Sequence, residues 1–410
     1  MSEEKLVPKL RFKGFDDEWV IKRLDEISEI NPKTRELPEN FVYIDLDSVN
    51  NGILTKFNKI NKIDAPSRAQ RCLDLNDILF QTVRPYQMNN FFFELNDCDY
   101  VASTGYAQIK SQIFPRFLYY YLHYYKFVND VLNRCTGSSY PAINSTDLKK
   151  IKIKIPSSFN EQKLIGDLFH KIDKKIELLE NKYEYYQYFK KYLMQQIFTQ
   201  KLRFADCTGE WNLFKLGDIV ELMRNGCSEN QVSFETEFPV TRIETISKGI
   251  LNFDKVGYVE KIDSSYLLQY GDILLSNINS LKYIGNCVFF DEDKPLYHGM
   301  NLMLMRFKDD FNKKYLFYYM KFYQQWFQKM ACQAVNQASI NQSSLKKFPF
   351  YIPPTIDEQN KIVNVIDDTE HKINSIEDQI IKMEEFKKGL LQQMFVVQLI
   401  LSLLQNKKHI

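Results

Sequence analysis

Apolar residues recur at spacings of three and four along two long stretches of the chain. In the first they fall at Ile165, Leu168, Ile172, Ile176, Leu179, Tyr183, Tyr186, Phe189, Leu193 and Ile197. In the second they fall at Ile362, Val365, Ile373, Ile376, Ile380, Met383, Phe386, Leu390 and Met394, with Thr369 as the one polar break. That spacing, held for about five heptads, predicts helices carrying a coiled-coil seam. No proline interrupts either stretch. Roughly forty residues of helix extend ~60 Å at 1.5 Å per residue. Asn160 and Asp357 are placed to cap the two helices, and Glu161 and Glu358 suit their first turns.

The two stretches are copies. At a constant offset of 197, Ile155/Ile352, Pro156/Pro353, Glu161/Glu358, Gln162/Gln359, Lys190/Lys387, Lys191/Lys388, Leu193/Leu390, Gln195/Gln392, Gln196/Gln393 and Phe198/Phe395 are identical. Upstream, Leu10-Arg11-Phe12 and Glu18-Trp19 recur as Leu202-Arg203-Phe204 and Glu210-Trp211, at an offset of 192. The offset drifts between the two signals, which places small insertions in loops of the second copy. The whole chain is a tandem duplication.

Between the repeated features the pattern is mixed. Residues 41–46, 77–80, 257–259 and 272–275 read as short strands bounded by turns. Residues 116–132 and 314–330 each read as one buried helix, followed by polar loops at 136–144 and 334–341. Strands at 151–155 and 348–352 come next, ended by Pro156 and Pro353, which cannot continue a ladder. The expected fold class is α+β: two duplicated mixed α/β domains separated by two long helices. The boundaries are 1–155 and 202–352 for the domains, and 156–201 and 353–410 for the arms. The arms pair most simply with each other. The expected pairing is an antiparallel coiled coil, because a globular domain must fit between the end of the first arm and the start of the second. It sets the domains at opposite ends of a rod under a pseudo-two-fold axis, whereas parallel pairing would crowd them onto one end. Residues 398–410 have no counterpart after the first arm; a packed helical extension is the expectation there.

Composition narrows the class. A length of 410 residues allows two or three domains, and 44% hydrophobic content with 31 Phe and 25 Tyr excludes a disordered chain. The net charge of +2 excludes a uniformly basic surface and leaves room for a local basic cleft. Seven scattered cysteines without a CxxC pair argue against a disulfide framework or zinc ribbon, and for a reducing cytoplasm. No phosphate loop, dinucleotide fingerprint, amino-methyltransferase motif or HxxxH pair is present. No catalytic, cofactor-binding or metal-ligating residue is therefore assigned.

What remains is a binding architecture. Two similar domains on a rod suit two separated pieces of a repeating ligand, and duplex DNA, with its regular rise per base pair, is the leading candidate. Base reading needs polar loop residues flanked by Arg and Lys for the phosphates. In the first domain these are Arg68, Arg71, Gln81, Thr82, Arg84, Tyr86 and Gln87, with Ser138, Ser139 and Tyr140 in the later loop. In the second they are Arg242, Ser276, Asn277, Asn279 and Lys282, with Asn336, Gln337 and Ser339. A coiled-coil scaffold whose two domains bind proteins is the other class. A steep loss of DNA binding with salt separates the two.

The LRF…EW…LGDI opening at 202–219, the IP…EQ junctions and the FKK-x-LLQQ-x-F helix end at 386–395 closely resemble the specificity subunit of type I restriction–modification systems. The resemblance covers nearly the whole chain and is strongest in the arms. It implies that the domains are target recognition domains, each reading one half of a bipartite double-stranded DNA site. It implies that the coiled coil fixes the unread gap and docks two modification subunits. The chain itself would catalyse nothing. S-adenosylmethionine, ATP and Mg would belong to the modification subunits and to restriction subunits, where these join the complex.

Overall fold

The structure, a computed structural model, describes residues 4–247, 249–333 and 338–401. Two 40-residue helices, Phe159–Phe198 and Ile356–Phe395, follow the heptad pattern. Their N-caps differ from expectation. Ser158 and Thr355, not Asn160 and Asp357, accept hydrogen bonds from the Glu161 and Glu358 amides, at 3.5 and 3.3 Å. A hydroxyl three residues before a glutamate is the capping arrangement these helix starts adopt. Thr369, the polar break, is buried and donates to the Val365 carbonyl at 2.8 Å. The expected seam also narrows. Phe189 and Phe386, equivalent positions, are exposed, because the helices bury their ends against domain aromatics instead.

The chain folds into two compact units. One runs to Asn181 and takes back the residues from Glu377 onward; the other is Lys182–Ile376. Each holds part of each long helix. In the first, Phe169 stacks on Phe395 with centroids 5.8 Å apart, and Asp173 pairs with Lys387 at 2.5 Å. Advancing along one helix retreats along the other, so the pairing is antiparallel. In the second unit Lys190 pairs with Glu370, and Leu193 and Ile197 share a core with Ile362 and Ile366. The direction is again antiparallel.

In the first unit, strands Phe91–Phe92, Ile78–Gln81, Tyr106–Ser111 and Ser28–Ile30 form an antiparallel sheet in that order. A second sheet orders Asn58–Asn61, Asn40–Ile44, Tyr100–Ser103 and Ala69–Cys72. The second unit repeats the first of these sheets with Ile273–Leu275 and Met303–Phe307 at its centre. The expected single helices are each broken in two: Pro115–Tyr121 and Tyr125–Leu132, then Lys313–Phe322 and Gln324–Met330. Each break redirects the second helix so that its apolar side, Phe127, Val128 and Val131 in the first unit and Phe327 in the second, faces the core. The break turns Tyr124 to within 5.9 Å of Phe395.

The repeated motifs meet where a domain hands over to a helix. Arg11 donates twice to Glu161, at 2.7 and 2.8 Å, and the Trp19 indole donates to the same carboxylate at 3.4 Å. Arg203, Glu358 and Trp211 repeat this at 2.8, 2.8 and 3.1 Å. Gln162 accepts from the Phe114 amide and donates to the Pro156 carbonyl. Gln359 does the same with Asn312 and Pro353. The Glu-Gln dipeptide thus buckles the domain opening, the strand-ending proline and the helix start together.

The tail departs from expectation. Val397–Leu401 is a strand, not more helix, and pairs antiparallel with Glu4–Pro8 from Glu4↔Leu401 to Pro8↔Val397. Pairing gives both segments' backbone groups partners that a lone segment would lack. The rest of the tail, 402–410, lies outside the described residues. Among the described residues no helix is long and apolar enough to cross a membrane.

Candidate nucleic-acid interface

In the first unit the loop after strand Ile78–Gln81 is closed from within. Gln81 is buried; its amide group donates to the Gln87 side chain at 2.8 Å, and its side-chain oxygen accepts from the Asn89 amide at 3.1 Å. Gln81 therefore shapes the loop rather than facing outward. Thr82 donates through its amide and its hydroxyl to the Gly105 carbonyl, at 3.0 and 2.7 Å, so it too is held inward.

The loop then meets the later polar loop. Ile143 N–H donates to the Thr82 carbonyl at 3.0 Å, and Arg84 N–H donates to the Pro141 carbonyl at 2.7 Å. Thr136 and Ala142 exchange both backbone hydrogen bonds, which brings Ser138, Ser139 and Tyr140 to the tip of a turn. The Arg84 guanidinium lies over the Tyr140 ring, 4.2 Å from its centroid. Arg84, Tyr86, Gln87, Ser138, Ser139 and Tyr140 thus come from two separate segments and form one outward-facing group, in which only Arg84 is half-buried. Arg68 joins through Thr104, whose amide donates to the Arg68 carbonyl at 2.9 Å. Arg71 is half-buried on strand Ala69–Cys72 with its Nε unpartnered, and burial lowers its pKa from the usual arginine value. Among the described residues no carboxylate pairs with Arg68, Arg71 or Arg84.

The second unit builds the same junction with other side chains. Strand Ile278–Asn279 pairs with Ala338–Ser339, and Ile340 N–H donates to the Asn277 carbonyl at 2.9 Å. Ser276 and Asn277 are buried, contrary to a base-reading role. The Ser276 hydroxyl accepts from the Asn279 amide group at 3.1 Å, and Asn277 donates to the Ile340 carbonyl at 3.4 Å. A polar residue next to a strand end meets backbone as readily as water, and here backbone wins. Lys282 is exposed, with its amine 4.6 Å from the Tyr283 ring centroid, and Ser339 is exposed. Arg242 is placed elsewhere in the unit. It precedes the turn Ile243–Ile246, and its guanidinium pairs with Glu244 at 3.7 Å. Asn336 and Gln337 lie outside the described residues.

One feature of the first unit had no signal in the sequence. A cleft of about 830 Å3 opens beside the loop, lined by Asn51, Gln87, Arg116, Tyr120, His123 and Lys387 among others. The lining falls in five distant segments, 51–57, 87–95, 116–129, 170–180 and 384–392, and no local spacing announces such a set. His123 is pulled down to about 4 by burial and by Lys387, so its ring is neutral at neutral pH.

Two solved structures share the fold. One, from work on the assembly and conformational transition of the type I R-M system, has a TM-score of 0.60 at 20% identity and covers 94% of this chain and 99% of its own. The other is a type I restriction-modification system S subunit from M. genitalium, with a TM-score of 0.59 at 16% identity over 95% and 99%. In sequence, the MjaX type I restriction enzyme specificity subunit of Methanocaldococcus jannaschii is 38% identical over 205 residues, 48% of each protein. The HindI type I restriction enzyme specificity subunit of Haemophilus influenzae is 28% identical over 149 residues, 34% of this chain and 31% of that one. The matched region thus spans half or less of these relatives' length. The model of the type I restriction modification DNA specificity domain matches twice, at residues 16–185 and 208–385, and the chain belongs to that family.

Proposed function

We propose that this chain is the non-catalytic, DNA-reading subunit of a type I restriction–modification complex, working in the cytoplasm. Each recognition domain reads one half of a bipartite site in duplex DNA, and the two long helices set the unread gap. The observation that carries this reading is the junction built twice. In both units a loop after a buried strand is clamped to a later polar loop, and polar and cationic side chains gather at the seam. Arg84 stacked on Tyr140 is a planar donor held at a loop tip, the geometry that suits a guanine edge or a phosphate.

The helices serve the partners. Tyr185, Tyr188, Phe189 and Tyr192 are exposed on the first long helix and offer apolar surface to a modification subunit. Two such subunits would bring S-adenosylmethionine and methylate adenine; restriction subunits using ATP and Mg would join them. The test is a domain exchange. Replacing residues 1–155 with the equivalent segment of a relative should change one half of the methylated site. A change in both halves, or no methylation of a split site by the parent complex, sinks the reading.

A further inference from the structure

Each unit holds a triad of one amine, one carboxylate and one phenol, taken from three different helices. In the first, Lys387 of the second long helix pairs with Asp173 of the first long helix at 2.5 Å. The Tyr120 hydroxyl donates to the other Asp173 oxygen at 2.8 Å, and the Lys387 amine lies 5.6 Å from the Tyr120 ring centroid. In the second, the helices exchange roles. Lys190 of the first long helix pairs with Glu370 of the second, Tyr318 donates to Glu370 at 2.7 Å, and Lys190 lies 5.9 Å from the Tyr318 ring centroid. Lys190/Lys387 and Asp173/Glu370 stand at the repeat offset of 197. The lysine side chains are only 13% and 26% exposed. In the second unit Lys321 also approaches Glu370, and Lys314 and Tyr318 both bind Asp367.

The rest of the helix pairing is permissive. Many of its buried positions are aliphatic, Ile165, Ile172, Leu179, Leu193, Ile362 and Ile373 among them, with Phe169, Thr369 and Phe395 buried beside them. A slide of one heptad, about 10 Å, sets most aliphatic residues against aliphatic residues again, although it parts Phe169 from Phe395. The same slide parts each lysine from its carboxylate and leaves half-buried charges unpaired, which is costly. Replacing a buried ion pair by apolar side chains is often neutral or stabilising, and the best-attested use of such a pair is to set registry.

We infer that these two triads fix the register of the long helices and thereby select the number of unread base pairs in the DNA site; this rests on the split-site reading above. A heptad of slippage corresponds to about three base pairs at 3.4 Å each. The triads act by positioning and touch no DNA.

The experiment uses the assembled modification complex and a set of duplexes whose spacer varies by up to four base pairs around the native length. The first variant carries Lys190→Met, Glu370→Leu, Lys387→Met and Asp173→Leu, with Tyr120→Phe so that no buried phenol is left without its acceptor. It should fold with an unchanged or higher Tm and methylate a second spacer class at a rate within about tenfold of the native one. The second variant exchanges the charges: Lys190→Glu with Glu370→Lys, and Lys387→Asp with Asp173→Lys. It should restore a single spacer. Phe198 and Phe395 are untouched in both, so altered spacer choice reads the ion pairs. A single spacer kept by the apolar variant overturns the inference, as does its failure to fold or a charge exchange that restores nothing. If the unaltered complex methylates no split site, the proposed function fails instead.

Discussion

Arg84 shows what one position owes to its surroundings. Its φ of 54° is left-handed, a conformation that costs a non-glycine residue about 1–2 kcal/mol. The bond from its amide to the Pro141 carbonyl holds the backbone there, and the side chain is delivered onto Tyr140. Arg84→Ala should weaken binding of the assembled complex to the first half-site by ~1–3 kcal/mol, measured by anisotropy on matched and scrambled duplexes. An equal loss on unrelated DNA would make Arg84 a phosphate contact. The sequence marked the loop that meets the later polar loop, but not the orientation of side chains within it. Gln81, Ser276 and Asn277 are as polar as their exposed neighbours, yet each turns its side chain inside the unit. Polarity alone does not say whether the partner is water, DNA or backbone.

Among the elements, the long helices were the most legible, because a seam repeated for 40 residues leaves few alternatives. The purpose of the motifs at their starts was not legible. Arg11, Trp19 and Glu161 are separated by up to 150 residues and meet only when the domain closes on the helix. Glu161→Ala would strand the Arg11 guanidinium, which is 10% exposed, and remove an acceptor from Trp19. Breaking such a pair from one side should cost ~3–5 kcal/mol in chemical denaturation. A loss below about 1 kcal/mol would mean that the latch merely decorates the junction. The broken aromatic helices and the terminal strand pair had no local signal either. Residues 116–132 carry helical periodicity throughout, and only the aromatic box around Phe395 requires the turn at Tyr124.

At the scale of the whole molecule, two histidines among the described residues are held neutral, His298 in one unit and half-buried His123 in the other. His298 is fully buried, with Nε2 3.0 Å from the Leu302 carbonyl, and His123 has Nδ1 2.8 Å from the Tyr119 carbonyl. Burial lowers both from the ordinary 6.5 to about 4. Between those values the unfolded chain binds more protons than the folded one, so stability rises with pH through the window. Acidification from about 6.5 to about 4 should therefore destabilise both units, with His298 contributing up to about 3 kcal/mol. His298→Gln should flatten that part of the stability–pH curve followed by urea unfolding. An unchanged slope would show that the imidazole already titrates in the folded state.

The sequence by itself determined the duplication, the two helices and the loop segments that the fold brings together. Those are written in spacing and in residue-by-residue identity, which need no folding to be seen. Tertiary structure alone decided which polar residues turn inward, where the aromatic helices break and how the tail pairs. It also decided that Lys190 meets Glu370 while Lys387 meets Asp173. Each of these depends on a partner far away in the chain, and burial, which sets the cost of an unpaired polar group, exists only once the chain has folded.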